Sequence, residues 1–350
     1  MNGRTKFGYV YGKTYKETLN KWSIAHHDYQ MGITQKQVSS AKLKTVSNSW
    51  LTEVSHTLKE STVSRYGDYL DYHILPRFGD TDMSAIDNEQ LEQFVGELLE
   101  SGGAKGQGLS PKTVTEILRI MKHLRKYALR HDLAVGYTAN CVTVKQKPKP
   151  LRVFSIEEQR KLTKYLLANP TAANLGIFLC LSTGMRVGEI CALKCDDICL
   201  SERKLSVCRT LQRLRDRSAK CDAKTKVVIG TPKSLCSIRQ IPLTDELCAV
   251  IKPFCKTGAY FLTGKADKYM EPRSMHNHFK RVLSECGIAA TNFHVLRHTF
   301  ATRCIEAGVD AKCLSEILGH STVNITLNRY VHPTMDMKRK NMEKIASLSL

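Results

Sequence analysis

The run Lys145-Gln146-Lys147-Pro148-Lys149-Pro150 constrains this chain more than any other stretch. A proline cannot continue a helix, and it pushes the residue before it toward extended geometry, so no helix or strand passes through. The stretch 145–152 therefore reads as a linker, and Lys145, Lys147 and Lys149 suit a tether crossing a phosphate backbone. A chain of 350 residues is long enough for one domain on each side of it and a small extra piece.

Before the linker, 45–144 is helical in pattern throughout. Val63, Tyr66, Leu70 and Ile74 recur at steps of three and four behind Ser61 and Thr62, which predicts one amphipathic helix. A second is predicted from about Asn88 to Glu100, ended by Ser101-Gly102-Gly103. A third opens with Ser110 as N-cap and Pro111 at the first helical position, and turns Val114, Ile117, Met121, Leu124 and Ala128 inward. Its other face carries Lys112, Arg119, Lys122, Arg125, Lys126 and Arg130. A charged face is usually only solvated, but one so consistently basic on a basic chain favours phosphate contact. Residues 1–44 begin basic and aromatic. Phe7 to Tyr11 alternates like a strand, and Lys13 to Glu17 looks like the start of a helix. Too small for a core, this piece is either a disordered leader or an accessory DNA-binding element.

After the linker, 153–335 mixes two periods. Ser155 and Glu158 form a capping box before Leu162, Tyr165 and Leu166, and an apolar helix follows from Ala172 to Leu181. The turn Ser182 to Glu189 then delivers Arg186 to the start of the next helix, with Glu189 one turn on as its orienting partner. Leu205 to Val207, Lys226 to Ile229 and Ser237 to Leu243 read as three short antiparallel strands. A turn between the last two presents Lys233 at its tip, and the run Arg209, Arg213, Arg215, Arg217 adds charge to the same small sheet. A helix from Ser274 to Cys286 ends at Gly287. The stretch 294–330 then gathers His294, Arg297, His320 and Tyr330, with Gly308 and Gly319 breaking it into short helices. Taken singly, such residues are usually core or capping groups. Together they suit phosphate chemistry: a guanidinium fork for nonbridging oxygens, two imidazoles that move protons near neutrality, and a phenol able to form an ester. The tail 336–350 could form an amphipathic helix with Met342, Ile345 and Leu348 on one side.

Composition narrows the partner. Lys and Arg number 53 against 33 Asp and Glu, a net +20, so the surface attracts polyanions, and nucleic acid leads that class. Neither a spanning apolar run nor a leader peptide is visible, which points to a cytoplasmic, nucleoid-associated protein with no membrane partner. The 13 cysteines are scattered and odd in number, so a disulfide framework is not expected. Cys191, Cys195 and Cys199 have helical spacing, but read as reduced buried thiols rather than metal ligands.

Thr183-Gly184-Met185-Arg186-Val187-Gly188-Glu189, Thr231-Pro232-Lys233-Ser234, His294-Val295-Leu296-Arg297-His298-Thr299-Phe300, Leu318-Gly319-His320-Ser321 and Tyr330 together resemble the motif set of the tyrosine recombinases, the phage integrase family. The resemblance covers about 45–345, in the family's order, and is most like integrases of phages and conjugative transposons. It implies a mainly α fold with a small antiparallel sheet, in which a helical SAM-like core-binding domain and a mixed α/β catalytic domain form a C-shaped clamp on DNA. By motif match, Arg186 and Arg297 would hold the scissile phosphate, Lys233 would protonate the leaving 5′-oxygen, His294 and His320 would assist, and Tyr330 would be the nucleophile. Val295 stands where the family often has Asp, a departure that bears on the packing of His294 rather than on the reaction. The implied reaction conserves bond energy in a 3′-phosphotyrosyl link and needs no metal, ATP or nicotinamide. It also implies a homotetramer on its DNA sites, docked through the C-terminal tail, and an excisionase or host DNA-bending protein as accessory. Two other readings share these residues: a type IB topoisomerase that relaxes supercoils as a monomer, and a non-catalytic DNA-binding regulator on the same fold. A metal-dependent nuclease is a more distant third.

Overall fold

The computed structural model describes residues 10–12, 14–30, 39–103, 106–138, 142–145, 151–216, 225–232, 235–331, 339 and 342–343. The chain divides into two compact units, Met1–Lys147 and Pro148–Leu350. The division falls inside the lysine-proline run, of which only Lys145 lies within the described residues. Of the strand reading at Phe7 to Tyr11, Val10 and Tyr11 lie within them, and neither is in a strand.

The first unit is helical among its described residues: α1 (Tyr15–Gln30), α2 (Leu43–Ser55), α3 (Glu60–Tyr69), α4 (Leu75–Phe78), α5 (Asn88–Ser101) and α6 (Pro111–Arg130). The side-chain oxygen of Ser110 accepts from the Thr113 amide at the start of α6, and Asp87 and Gln90 form a reciprocal box at the start of α5. In contrast, α2 has Lys42 at its N-cap, with no side-chain hydrogen bond, and so carries no capping signal in the sequence. The single helix expected behind Ser61 begins instead at Glu60, and Leu70–Ile74 opens into a π turn before α4. Pro76 has no amide hydrogen to give. The Leu75 amide donates five residues back to Leu70, so the chain passes the proline without breaking. Leu43, Trp50, Ile74, Phe94, Ile117 and Leu124 meet in one core.

The second unit holds α7 (Ile156–Ala168), α8 (Ala172–Thr183), α9 (Val187–Ala192), α10 (Asp245–Ile251), α11 (Pro272–Glu285), α12 (Val295–Glu306), α13 (Ala311–Leu318) and α14 (Val323–Tyr330). Its strands are β1 (Ile198–Cys199), β2 (Lys204–Val207), β3 (Thr210–Arg215), β4 (Thr225–Gly230) and β5 (Arg239–Pro242). They correct the expected three-stranded sheet. One sheet runs β1-β2-β5 and a separate two-stranded one pairs β3 with β4, both antiparallel. Arg213 and Arg215 of the arginine-rich run lie on a strand, β3, so β4 finds its hairpin partner upstream, and the connection from β4 to β5 joins two sheets instead of closing a hairpin. Cys191, Cys195 and Cys199 do not share a helix: α9 ends at Ala192, and the other two lie on a 3₁₀ turn and on β1.

The main core of this unit includes Leu162, Leu175, Ile190, Leu205, Ile241, Phe261, Phe279 and Leu296. A smaller core gathers Ala301, Ile305, Leu314, Leu318 and Tyr330 from α12, α13 and α14. The start of α7 is tied to α12, since the Phe154 amide donates to Thr299 Oγ1 at 3.0 Å and Arg303 Nη2 donates to the Phe154 carbonyl at 2.7 Å. Among the described residues no helix is long and apolar enough to cross a membrane. Ile117 is fully buried in α6. Replacing it with alanine should lower the unfolding free energy by about 3 kcal/mol, measured by urea denaturation followed through the fluorescence of Trp50 in the same core.

Candidate active site

The site is built against the C-terminal end of α13, where the last carbonyls of a helix have no partner within it and carry the negative end of its dipole. Three arginines take them. Arg239 Nε donates to the Ile317 carbonyl at 2.5 Å, Arg297 Nη2 to Leu318 at 2.8 Å, and Arg186 Nη2 to Gly319 at 3.2 Å. Glu189 lies among them, 2 % exposed. Its carboxylate accepts both forks of Arg239 at 3.1 and 2.9 Å, Arg186 Nη1 at 2.7 Å, and the Arg186 amide at 2.9 Å. Burial alone would push this carboxyl up, but the Arg239 hydrogen bonds and the charges of Arg239 and Arg186 outweigh it and hold it below its usual range.

Two glycines make the close approach possible. Gly184 ends α8 with φ +68°, and its carbonyl accepts Arg297 Nη1 at 2.9 Å. A Cβ there would come within 2.7 Å of both Leu318 and Phe300. Gly319 ends α13 with φ +65°, and a Cβ would stand 3.0 Å from Arg239 Cδ.

On the other side of Arg297 stand the imidazoles and the phenol. His294 occupies the N-cap position of α12, and His298 packs edge-on against it one turn later, with centroids 4.4 Å apart at 87°. His298 Nδ1 is 2.8 Å from the Tyr330 hydroxyl. His320 Nδ1 is 2.7 Å from Thr326 Oγ1, and its ring lies nearly parallel to Tyr330, 6.4 Å between centroids. Burial first, and then the charges of Arg297, Arg329 and Arg186, push His294 down to about 4. The same causes bring His320 to about 4. Burial raises the Tyr330 phenol, with Arg297, Arg329 and Arg186 opposing. Burial likewise pulls Arg297 down to about 9, which leaves it a cation at neutral pH. In the DNA-free site the fixed positive charge therefore belongs to arginines, while the imidazoles and phenol are neutral.

Of the residues expected from sequence, Arg186, Glu189, His294, Arg297, His320 and Tyr330 come together here. Lys233 lies outside the described residues, as do Lys147 and Lys149. Lys112, Arg119, Lys122 and Lys126 are exposed on α6, and Lys145 is exposed on its own segment. Arg119 pairs with Glu116 at 2.9 Å, and Arg125 commits its Nε to the Tyr137 carbonyl at 2.9 Å. Two residues escaped the sequence reading. Arg239 is buried on β5, on the same face as Ile241, and that alternation is the signal that marks an inward arginine. His298 follows His294 at helical spacing, which places both on one face. No group of three or more His, Cys, Asp or Glu side chains that could hold a metal ion occurs among the described residues.

The profile of the phage integrase family matches residues 152–337, more than half of the chain. The chain belongs to that family. It is a tyrosine recombinase, an enzyme of site-specific DNA recombination. The profile of the SAM-like N-terminal domain of phage integrases matches residues 42–99 of the same chain. Over 99% of its length the recombinase is 28% identical to a XerC-like tyrosine recombinase of Caldanaerobacter subterraneus, 93% of which is covered. It is 29% identical to the transposase of transposon Tn916 from Enterococcus faecalis over 56% of this chain, an alignment that spans 52% of that relative. Its fold is like that of a Tn1549 transposon integrase solved in complex with transposon right end DNA, with a TM-score of 0.68 at 22% identity over 87% of this chain and all of that one. It is also like a lambda integrase dimer bound to a core site, with a TM-score of 0.61 at 14% identity over 92% of this chain and 88% of that one.

Removing Arg239 would leave Glu189 buried with only Arg186 as its charged partner. Arg239→Ala should therefore cost about 3 kcal/mol of stability, read by chemical denaturation. Acid should destabilise the DNA-free recombinase as well. His294, His298 and His320 are held below their ordinary value of 6.5, so the unfolded chain binds protons that the folded one refuses. Stability is then complete above the unfolded value and is lost as pH falls from about 6.5 toward 4. Proton uptake on unfolding near pH 5, measured by calorimetry in buffers of different ionisation heat, checks this.

Proposed function

We propose that this recombinase integrates or excises a mobile element, cutting and rejoining DNA at its own sites through a 3′-phosphotyrosyl link to Tyr330. The observation that carries the reading is the meeting of Arg186, Arg297, His294, His320 and Tyr330 from separate stretches of the chain around one arginine-lined site. An unassisted phosphodiester cleaves very slowly, so catalysis must stabilise charge on its nonbridging oxygens as phosphorus becomes five-coordinate. In this reading Arg186 and Arg297 do so. Their guanidiniums are already oriented by Glu189 and by the carbonyls of Gly184, Leu318 and Gly319. His294 and His320 donate hydrogen bonds to the same oxygens. Tyr330 Oη attacks phosphorus as its proton passes to a neutral imidazole of the site, His294 or His320, the P–O5′ bond breaks, and Lys233 protonates the departing 5′-oxygen. A 5′-hydroxyl from a partner strand reverses the step.

Residues 45–144 are proposed as the core-binding domain, with Lys112, Arg119, Lys122, Arg125 and Lys126 set toward the DNA backbone, 145–152 as the linker, and 153–335 as the catalytic domain. Strand exchange needs two duplexes. A lambda integrase has been solved as a tetramer bound to a Holliday junction, and the same assembly is proposed here, with 336–350 docking on a neighbouring subunit. An excisionase or host DNA-bending protein is the proposed accessory, and residues 1–44 the proposed arm-site element.

Tyr330→Phe should bind a nicked suicide duplex but trap no covalent adduct, and Arg297→Ala should slow adduct formation by about 10³-fold. Both are read on denaturing gels. Persistence of the adduct in Tyr330→Phe refutes the nucleophile, and relaxation of any plasmid without recombinants favours a topoisomerase. DNA affinity should fall steeply with salt, with a linear slope of log K against log salt, measured by fluorescence anisotropy.

A further inference from the structure

Arg186, Arg297, His294 and His320 all have a place in the chemistry just described. His298, in the same site, does not. His298 is 6 % exposed, Tyr330 is 6 % exposed, and the phenol oxygen lies 2.8 Å from His298 Nδ1. We propose that His298 aims the nucleophile: its Nδ1 accepts the hydrogen of the Tyr330 hydroxyl and fixes the rotor of the reacting oxygen. This rests on Tyr330 being the nucleophile.

The direction of the hydrogen bond follows from the surroundings. His298 is surrounded by His294 and Arg297 on its own helix, by Arg329 on α14, and by His320 after α13. Burial first, and then these neighbours, push it down to about 3, while burial raises the Tyr330 phenol. Both groups are therefore neutral at pH 7. A neutral imidazole with its hydrogen on Nε2 offers a lone pair at Nδ1, and a neutral phenol offers a hydrogen. The His294 ring, edge-on to His298 at 4.4 Å, packs against the imidazole from the same helix face. The tilt of 51° between the His298 and Tyr330 rings, with centroids 5.7 Å apart, is that of a hydrogen-bonded pair and not of a stack.

The chemical consequence is orientation. With its hydrogen held at Nδ1 until the attack, the phenol oxygen keeps its lone pairs for phosphorus. Without an acceptor, a buried hydroxyl turns to whatever oxygen is nearest, and an ångström of misplacement is enough to slow an in-line attack by about 10²-fold. His298 serves here as a lone-pair donor of fixed position, not as a proton store, since a group this weakly basic does not take the phenolic proton in the DNA-free site.

The test separates the position of the acceptor from mere polarity. Asparagine places its oxygen where Nδ1 stands, glutamine places it one methylene further, and leucine offers none. With nicked duplexes drawn from the DNA flanking the gene, His298→Asn should form the covalent adduct within about 5-fold of the wild-type rate. His298→Gln and His298→Leu should be slower by about 10- to 100-fold, with unchanged DNA affinity by anisotropy. If His298→Leu fails to fold, the contrast between Asn and Gln still decides. Wild-type rates in the Gln and Leu variants, or an Asn variant as slow as Gln, overturn the proposal while leaving the recombinase reading intact. Absence of any adduct from the wild-type protein overturns both.

Discussion

Glu189 is a charge that could not sit where it does without its two arginines. A carboxylate 2 % exposed would be costly to ionise, and the forks of Arg239 and Arg186, with the Arg186 amide, keep it an anion. Those forks come from β5 and from the turn before α9, and the same arginines reach the carbonyls that end α13. One ion-pair cluster thus ties three elements that are distant in sequence and fixes the guanidiniums before any ligand arrives. The charge does not balance. Arg186, Arg239 and Arg297 bring three positive charges against the one negative charge of Glu189, and the remainder faces only carbonyl dipoles. Such a site is short of an anion.

The neutral imidazoles sharpen that asymmetry. Burial beside arginines depresses His294, His298 and His320 alike. The positive field is therefore carried by groups that do not titrate near neutrality, and the histidines act through hydrogen bonds. A bound phosphodiester would change the field on all three at once, because the same guanidiniums face them all.

Much of this was legible because certain residues leave local marks. Ser110 with Pro111, and Ser155 with Glu158, announce helix starts, and the proline-lysine run announces a boundary. Arg186, His294, Arg297, His320 and Tyr330 stand out because side chains of these types seldom gather without chemistry to perform. Where the sequence was silent, the physics is non-local. α2 has no side-chain cap to announce it. β3 looks like a basic loop because its arginines are partnered by residues far away, Arg213 by Glu271 among them. The pairing of β4 with β3 and not with β5 depends on register, which short strands specify weakly. Arg239 is the instructive case: its alternation with Ile241 and Leu243 points inward, but only the fold reveals that a carboxylate waits there.

Tyr330 is also one of five residues in the smaller core, with Ala301, Ile305, Leu314 and Leu318. Its ring and its oxygen therefore answer to different demands. The ring fills space between α12, α13 and α14, and any chain that keeps this fold needs a ring of that size at 330, whether or not it recombines DNA. The oxygen contributes little to packing. Among relatives that have lost activity but still fold, position 330 should then drift to phenylalanine and not to a small residue: aromaticity there marks the fold, and the hydroxyl alone marks the enzyme.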